Sequence, residues 1–245
     1  MSVKLLVNGI SGSGKTSLIA DLEDAFVVSR DGKEFPYNIP HMMIDTYHDM
    51  GTVIHGGMVT TDDEEVEVEG VYQKLEKYND KYGKYPRTIV IDSVSKLTQD
   101  AIDYANLNFS GFDVFSCINK EVAILTNFIQ EDLVAGGLNV VLINHVMDND
   151  KKGLVPIGQG KFKDKGGFYS EVDHSILIGD MKVTHRGIKN QARTTINELP
   201  DTQHVANTIT PSKSRKLKDG ESYYSLQTHV EMIEKLHNTN QEWKL

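Results

Sequence analysis

Eight residues near the start of the chain, Gly9-Ile10-Ser11-Gly12-Ser13-Gly14-Lys15-Thr16, have the types and spacing of a phosphate-binding loop, G-x-x-x-x-G-K-[ST]. Glycines let a backbone wrap closely round a phosphate, whose charge then meets successive backbone N–H groups and the positive end of the next helix. In that arrangement Lys15 reaches the β- and γ-phosphates of a nucleotide and the Thr16 hydroxyl holds Mg²⁺. Gly9, Ser11, Gly12, Ser13, Gly14 and Ser17 complete the expected cradle for ATP. A magnesium ion held this way also needs a carboxylate at the end of a neighbouring strand, and Thr88-Ile89-Val90-Ile91-Asp92 supplies one in Asp92. Asp92 also precedes a helical stretch and has the chemistry of a helix cap, a role compatible with the first.

The motif requires a strand before it and a helix behind it. Val3-Lys4-Leu5-Leu6-Val7 reads as a buried strand, and residues 16–23 place Leu18, Ile19 and Leu22 on one helical face. Residues 25–29 read as a second strand. Residues 30–70 look irregular, with an expected hairpin between Met42-Met43-Ile44 and Thr52-Val53-Ile54. Val71, Leu75, Tyr78 and Tyr82 fall at helical spacing, and Tyr85-Pro86 is expected to end that helix before the strand at residues 88–91. Ile118, Val122, Leu125, Ile129 and Leu133 keep one helical face until Gly136-Gly137, and Asn139-Val140-Val141-Leu142-Ile143 is the next aliphatic strand. Strands alternating with helices predict an α/β fold, a mostly parallel sheet with helices on both faces.

Residues 148–168 contain five glycines and five lysines without periodicity and read as a long mobile loop. Strand character returns at residues 175–178, 181–184 and 192–196. Lys213, Arg215, Lys216 and Lys218 form a basic stretch, and Leu226, Val230, Ile233 and Leu236 predict a terminal helix. The expected division is a core at 1–196 and a C-terminal extension at 197–245.

At 245 residues, 39% hydrophobic and 25% charged, the chain can bury a sizeable core and is neither disordered nor fibrous in composition. No apolar run approaches the roughly 20 residues of a membrane span, and a cytoplasmic protein without membrane association is expected. Cys117 is the only cysteine, which excludes an intramolecular disulfide framework and a multi-cysteine zinc site. A net charge of -9 disfavours coating nucleic acid with the whole surface and leaves room for a local basic groove. Asp62, Asp63, Glu64, Glu65, Glu67 and Glu69 gather in one short run, expected to be a solvated turn or edge.

The loop at residues 9–16, Ile91-Asp92-Ser93 and Val141-Leu142-Ile143-Asn144-His145 resemble the core of RecA-like ATPases. More narrowly, residues 3–196 resemble the small phage-encoded RecA-like ATPases of single-strand annealing and recombination. The resemblance implies a Mg²⁺-dependent ATPase that assembles on single-stranded DNA as a ring or filament, with a single-strand-binding protein as a further partner. It implies an acid beyond the second strand that orients the attacking water, either Asp31 or Glu34, and a γ-phosphate sensor at His145, where RecA has an amide. It implies DNA contacts by Lys151, Lys152, Lys161, Lys163 and Lys165, with Phe162, Phe168 and Tyr169 offering rings to unpaired bases. Lys189 and Arg193 stand where a neighbouring subunit would supply a cation to the transferring phosphate. A small-molecule kinase and a nucleotide-binding assembly or packaging factor are the rival readings.

Overall fold

Short aliphatic runs become parallel strands here because both faces of the sheet are covered. The computed structural model describes residues 2–9, 15–20, 22–30, 38–61, 64–149, 153–156, 168, 171–178, 180–184, 187–191 and 226–239. Strands β1 (Lys4–Gly9), β2 (Ala25–Ser29), β3 (His41–Met43), β6 (Thr88–Asp92), β7 (Asn139–Asn149) and β9 (His174–Ile178) form one parallel sheet in the order β3-β2-β6-β7-β1-β9. Strand β8 (Gly153–Pro156) adds to β7 in the antiparallel sense, and two separate hairpins pair β4 (Gly57–Thr61) with β5 (Glu64–Val68) and β10 (Asp180–Thr184) with β11 (Gly187–Gln191).

Alternation along each strand sorts the apolar side chains between two cores. Leu6, Phe26, Val28, Ile89, Ile91, Val140 and Leu142 face one side. There they meet α2 (Met50–His55), α3 (Val71–Tyr82), α4 (Val94–Asn108) and α5 (Phe112–Asn127), which a π-helical turn, Phe128–Val134, prolongs. Leu5, Val7, Val27, Val90, Val141 and Ile143 face the other side, against α1 (Lys15–Ile19) and α6 (Leu226–Thr239). Leu226, Val230 and Ile233 are buried there, so the helix of the C-terminal extension packs on the main sheet.

Several expectations need correction. The first helix stops at Ile19, one turn short of residue 23; Leu22 still reaches the core, and the chain turns at Asp24, whose φ is 54°, to enter β2. Residues 42–54 do not form a hairpin. His41–Met43 is a parallel edge strand beside β2, and Met50–His55 is helical, capped by the Asp49 carboxylate on the Thr52 N–H at 2.8 Å. The hairpin lies later, at β4–β5, and carries Glu64, Glu65 and Glu67 exposed to water, as the solvated edge required. Gly70 follows it because a Cβ there would collide with the backbone of His55 and Gly56. Helix α3 ends at Gly83 in the left-handed conformation, before Tyr85-Pro86. Part of the expected loop at 148–168 is strand: β7 runs on to Asn149 and turns back as β8. Among the described residues, no helix is long and apolar enough to cross a membrane.

Candidate nucleotide site

Strand β7 separates β1, which leads into the glycine-rich loop, from β6, which ends in Asp92. Gly9 lies opposite His145, and Asp92 opposite Ile143, so β1 and β6 end at one edge of the sheet on either side of β7, which runs past them. Helix α1 brings Lys15 and Thr16 back over that edge. The Lys15 ammonium is buried, 4% exposed, and donates to the Gly9 carbonyl at 2.9 Å. The Thr16 hydroxyl donates to Asp92 Oδ2 at 2.8 Å, and Asp92 is 2% exposed. A hydroxyl and a carboxylate side by side are oxygen donors of the kind Mg²⁺ takes, one or two from protein and the rest from phosphate and water. The donor set therefore fits the ion, with Thr16 and Asp92 as the residues that would hold it.

Helix α4 starts immediately after Asp92, across a cis peptide bond to Ser93. Ser93 is the cap, accepting the Lys96 N–H at 3.3 Å, so the capping role falls to Ser93 and leaves Asp92 as the last residue of β6. Beyond Asp92 the sheet no longer offers β7 a neighbour on that side, and the Ser95 hydroxyl takes over, accepting the His145 N–H at 3.2 Å. On the other side of β7, Asn144 donates to Asn8 Oδ1 at 2.9 Å, and Asn8 donates to the Ser175 hydroxyl at 3.0 Å. All three are buried, and the Asn144 Oδ1 atom has no hydrogen-bond partner among the described residues.

Arg30 ties the end of β2 to the same region. Its N–H donates to the Asp92 carbonyl at 2.7 Å, and its Nε meets the buried Asp100 carboxylate at 2.8 Å. Lys96 holds the other oxygen of Asp100 at 3.1 Å. Arg30 also lines an open cleft of ≈ 570 Å³ bordered by Asp45, Asp49, Asp100 and Asp103. Behind the cleft the buried Glu121 carboxylate accepts from the Tyr47 hydroxyl at 2.8 Å and the Met50 N–H at 2.6 Å. Burial, then the Glu121 charge, pushes the Tyr47 phenol far above its ordinary value. Burial also pushes the Cys117 thiol up, with Glu121 adding to it, which makes this single cysteine a poor nucleophile.

Of the residues singled out in the sequence, the structure joins Gly9, Lys15, Thr16 and Asp92 and places His145 beside Gly9. Residues 10–14, the side chain of Ser17, Asp31, Glu34, Lys151, Lys152, Lys161, Phe162, Lys163, Lys165, Tyr169 and Arg193 lie outside the described residues. The backbone of Lys189 lies in β11, opposite Lys182. Phe168 is corrected: it is 2% exposed within the larger core and has no ring to offer a base. Asn8, Arg30, Ser95 and Ser175 escaped the sequence reading. The polar residue in the otherwise aliphatic run Leu5-Leu6-Val7-Asn8 was the available signal for the first. No family model matches the chain, and no curated protein matches it either.

Proposed function

We propose that the chain is a Mg²⁺-dependent ATPase of RecA-like type that acts on single-stranded DNA. The observation that carries the nucleotide part is the Thr16–Asp92 hydrogen bond, which joins the two oxygen donors that the phosphate-loop motif and the second motif strand each supplied. Beside it, the buried Lys15 side chain donates to a backbone carbonyl, a partner that phosphate oxygens can replace. Magnesium, when bound, supplies positive charge to the phosphate oxygens. Lys15 neutralises the same oxygens, Asp31 or Glu34 orients the attacking water, and His145 stands on β7 opposite Gly9, where the loop begins. The RecA-like and DNA parts rest on the resemblance and on the lysines at positions 151–165.

A small-molecule kinase is the second reading, favoured by the cleft beside the Asp92 backbone. Four aspartates on its wall repel a phosphorylated acceptor, which restricts this reading to neutral or cationic ones.

The test is thermal stability and phosphate release with ATP and Mg²⁺, with and without single-stranded oligonucleotide. At 100 times Kd, ATP should stabilise the wild type by about 2.7 kcal/mol, and Lys15→Ala should abolish that gain. Undiminished binding by Lys15→Ala would remove the site assignment. Turnover that requires an added small acceptor and ignores DNA would favour the kinase.

A further inference from the structure

The turn between α4 and α5 places large apolar side chains in water. Phe112 is 90% exposed, Leu107 85% and Phe115 65%, while Phe109 leans edge-on against Tyr104 with ring centroids 6.4 Å apart. At about 150–250 Å² per aromatic side chain, this tip presents roughly 500 Å² of apolar surface, near the upper limit for the largest patch of a monomer. The ATPase reading leaves this surface unused, and nothing below rests on that reading.

The tip continues into the acidic cleft of ≈ 570 Å³, because Leu107 and Asn108 line that cleft together with Asp45, Asp49, Asp100 and Asp103. Among the described residues the one lysine or arginine on its wall is Arg30, which Asp100 holds. Asp49 caps α2, so Asp45 and Asp103, both exposed, are the carboxylates best placed to meet an incoming cation. Asp103 accepts from the Gln99 amide at 2.9 Å, a neutral donor that does not cancel its charge. Tyr47 and Tyr104 line the same cleft with ring centroids 6.2 Å apart, and aromatic rings attract ammonium and guanidinium groups. The charge is a local feature: residues 97–119 hold Asp100, Asp103 and Asp113 but no lysine or arginine, in a chain with 26 of them.

These features select among occupants. Nucleic acid and an anionic membrane both need cations that this stretch lacks. A second copy would set Asp45, Asp103 and Asp113 against acids of its own. Charge complementarity leaves a basic partner with an apolar surface to cover the phenylalanines. We propose that this surface docks a basic amphipathic segment of another protein, its apolar stripe on Leu107, Phe112 and Phe115 and a lysine or arginine in the cleft against Asp45 and Asp103. The aromatic anchors supply most of the affinity, while the carboxylates at the rim supply association rate and choice of partner.

The test is fluorescence anisotropy of a labelled helical peptide of about 18 residues, leucines on one face and lysines on the other, titrated with the full-length chain. Binding should saturate and weaken as salt rises, and the matching leucine/glutamate peptide should not bind. Phe112→Ser, a change at an exposed position, should leave the unfolding midpoint unchanged and raise Kd roughly thirtyfold, as loss of an aromatic anchor does. Asp45→Asn/Asp103→Asn should raise Kd about fivefold and flatten its salt dependence. Asp80→Asn/Glu131→Gln, which removes the same charge from exposed positions elsewhere, should leave Kd unchanged. Equal effects of the two double variants would reduce the binding to general acidity and overturn the site. So would a Kd that ignores Phe112→Ser, or equal binding of the lysine and glutamate peptides. A wild-type dimer that Phe112→Ser dissolves, or binding to phosphatidylcholine vesicles that it abolishes, would give the tip to another occupant and overturn the proposal.

Discussion

Asp92 and Asp100 are chemically like Glu64, Glu65 and Glu67, but the two regions treat their carboxylates in opposite ways. Asp92 at the end of β6 and Asp100 within α4 are almost wholly buried, and donors stand close to both: Thr16 at one, Arg30 and Lys96 at the other. On the β4–β5 hairpin the glutamates stand in water. Removing a carboxylate from water is costly, and only close donors offset it. The buried acids therefore depend on close partners, whereas the hairpin acids stand in water and can vary freely. A region that keeps charges buried at that cost is the better candidate for chemistry, a probabilistic rule that favours the Lys15–Thr16–Asp92 edge over the denser acidic run.

The comparison breaks most visibly at Asp100. Asp100→Ala removes the carboxylate that joins Arg30 to Lys96 and should cost about 2 kcal/mol in denaturant unfolding. Glu65→Ala on the hairpin should stay within about 0.5 kcal/mol of wild type. Similar losses at the two positions would mean that burial is not what separates the regions.

Ser93 tests a neutral member of the same edge. Its hydroxyl caps α4 next to Asp92, and Ser93→Ala should cost about 1 kcal/mol, with Ser93→Gly costing only about 0.3 kcal/mol because glycine is a tolerated N-cap. An equal loss in both variants would show that the hydroxyl acts through its contact with Ser95, 3.2 Å away, and not as a cap.

How far the sequence reached depends on whether the signal was local. Strand β2 and helix α3 occur at the residues that their patterns indicated, and the Thr16 hydroxyl lies against Asp92. Their signals, aliphatic runs and helical periodicity, lie within a few residues of each element. The β3–α2 segment failed because Met42-Met43-Ile44 and Thr52-Val53-Ile54 are short apolar triplets with no period of their own; Asp49 and Glu121 decide that the second is helical. The Asn144–Asn8–Ser175 row failed because its partners are over 130 residues apart and meet only through the strand order. The length of β7 was missed because its second half pairs with β8, inside a segment whose glycines and lysines resemble a loop.

Glu69 sits on the boundary between the two regions and carries the smallest expected effect. It closes the acidic run, yet unlike its neighbours on β5 it takes hydrogen bonds from Lys74 at 2.5 Å and from Lys77. Those bonds, Lys74 first, lower its pKa from 4.5 to about 2. A carboxyl with a depressed folded-state value stabilises the fold above its unfolded value and loses that contribution as pH falls. The window is therefore pH 4.5 down to about 2, and neutral pH should show no change. The pairs face solvent, so salt should weaken them. Carbon-detected titration of the side-chain carboxyls should find Glu69 with a midpoint well under 4.5 at low ionic strength, moving upward in Lys74→Ala and further in the Lys74→Ala/Lys77→Ala double variant. A midpoint that ignores both lysines would place Glu69 with the other hairpin acids, as a solvated charge without a partner, and would move the boundary between the two regions to the start of α3.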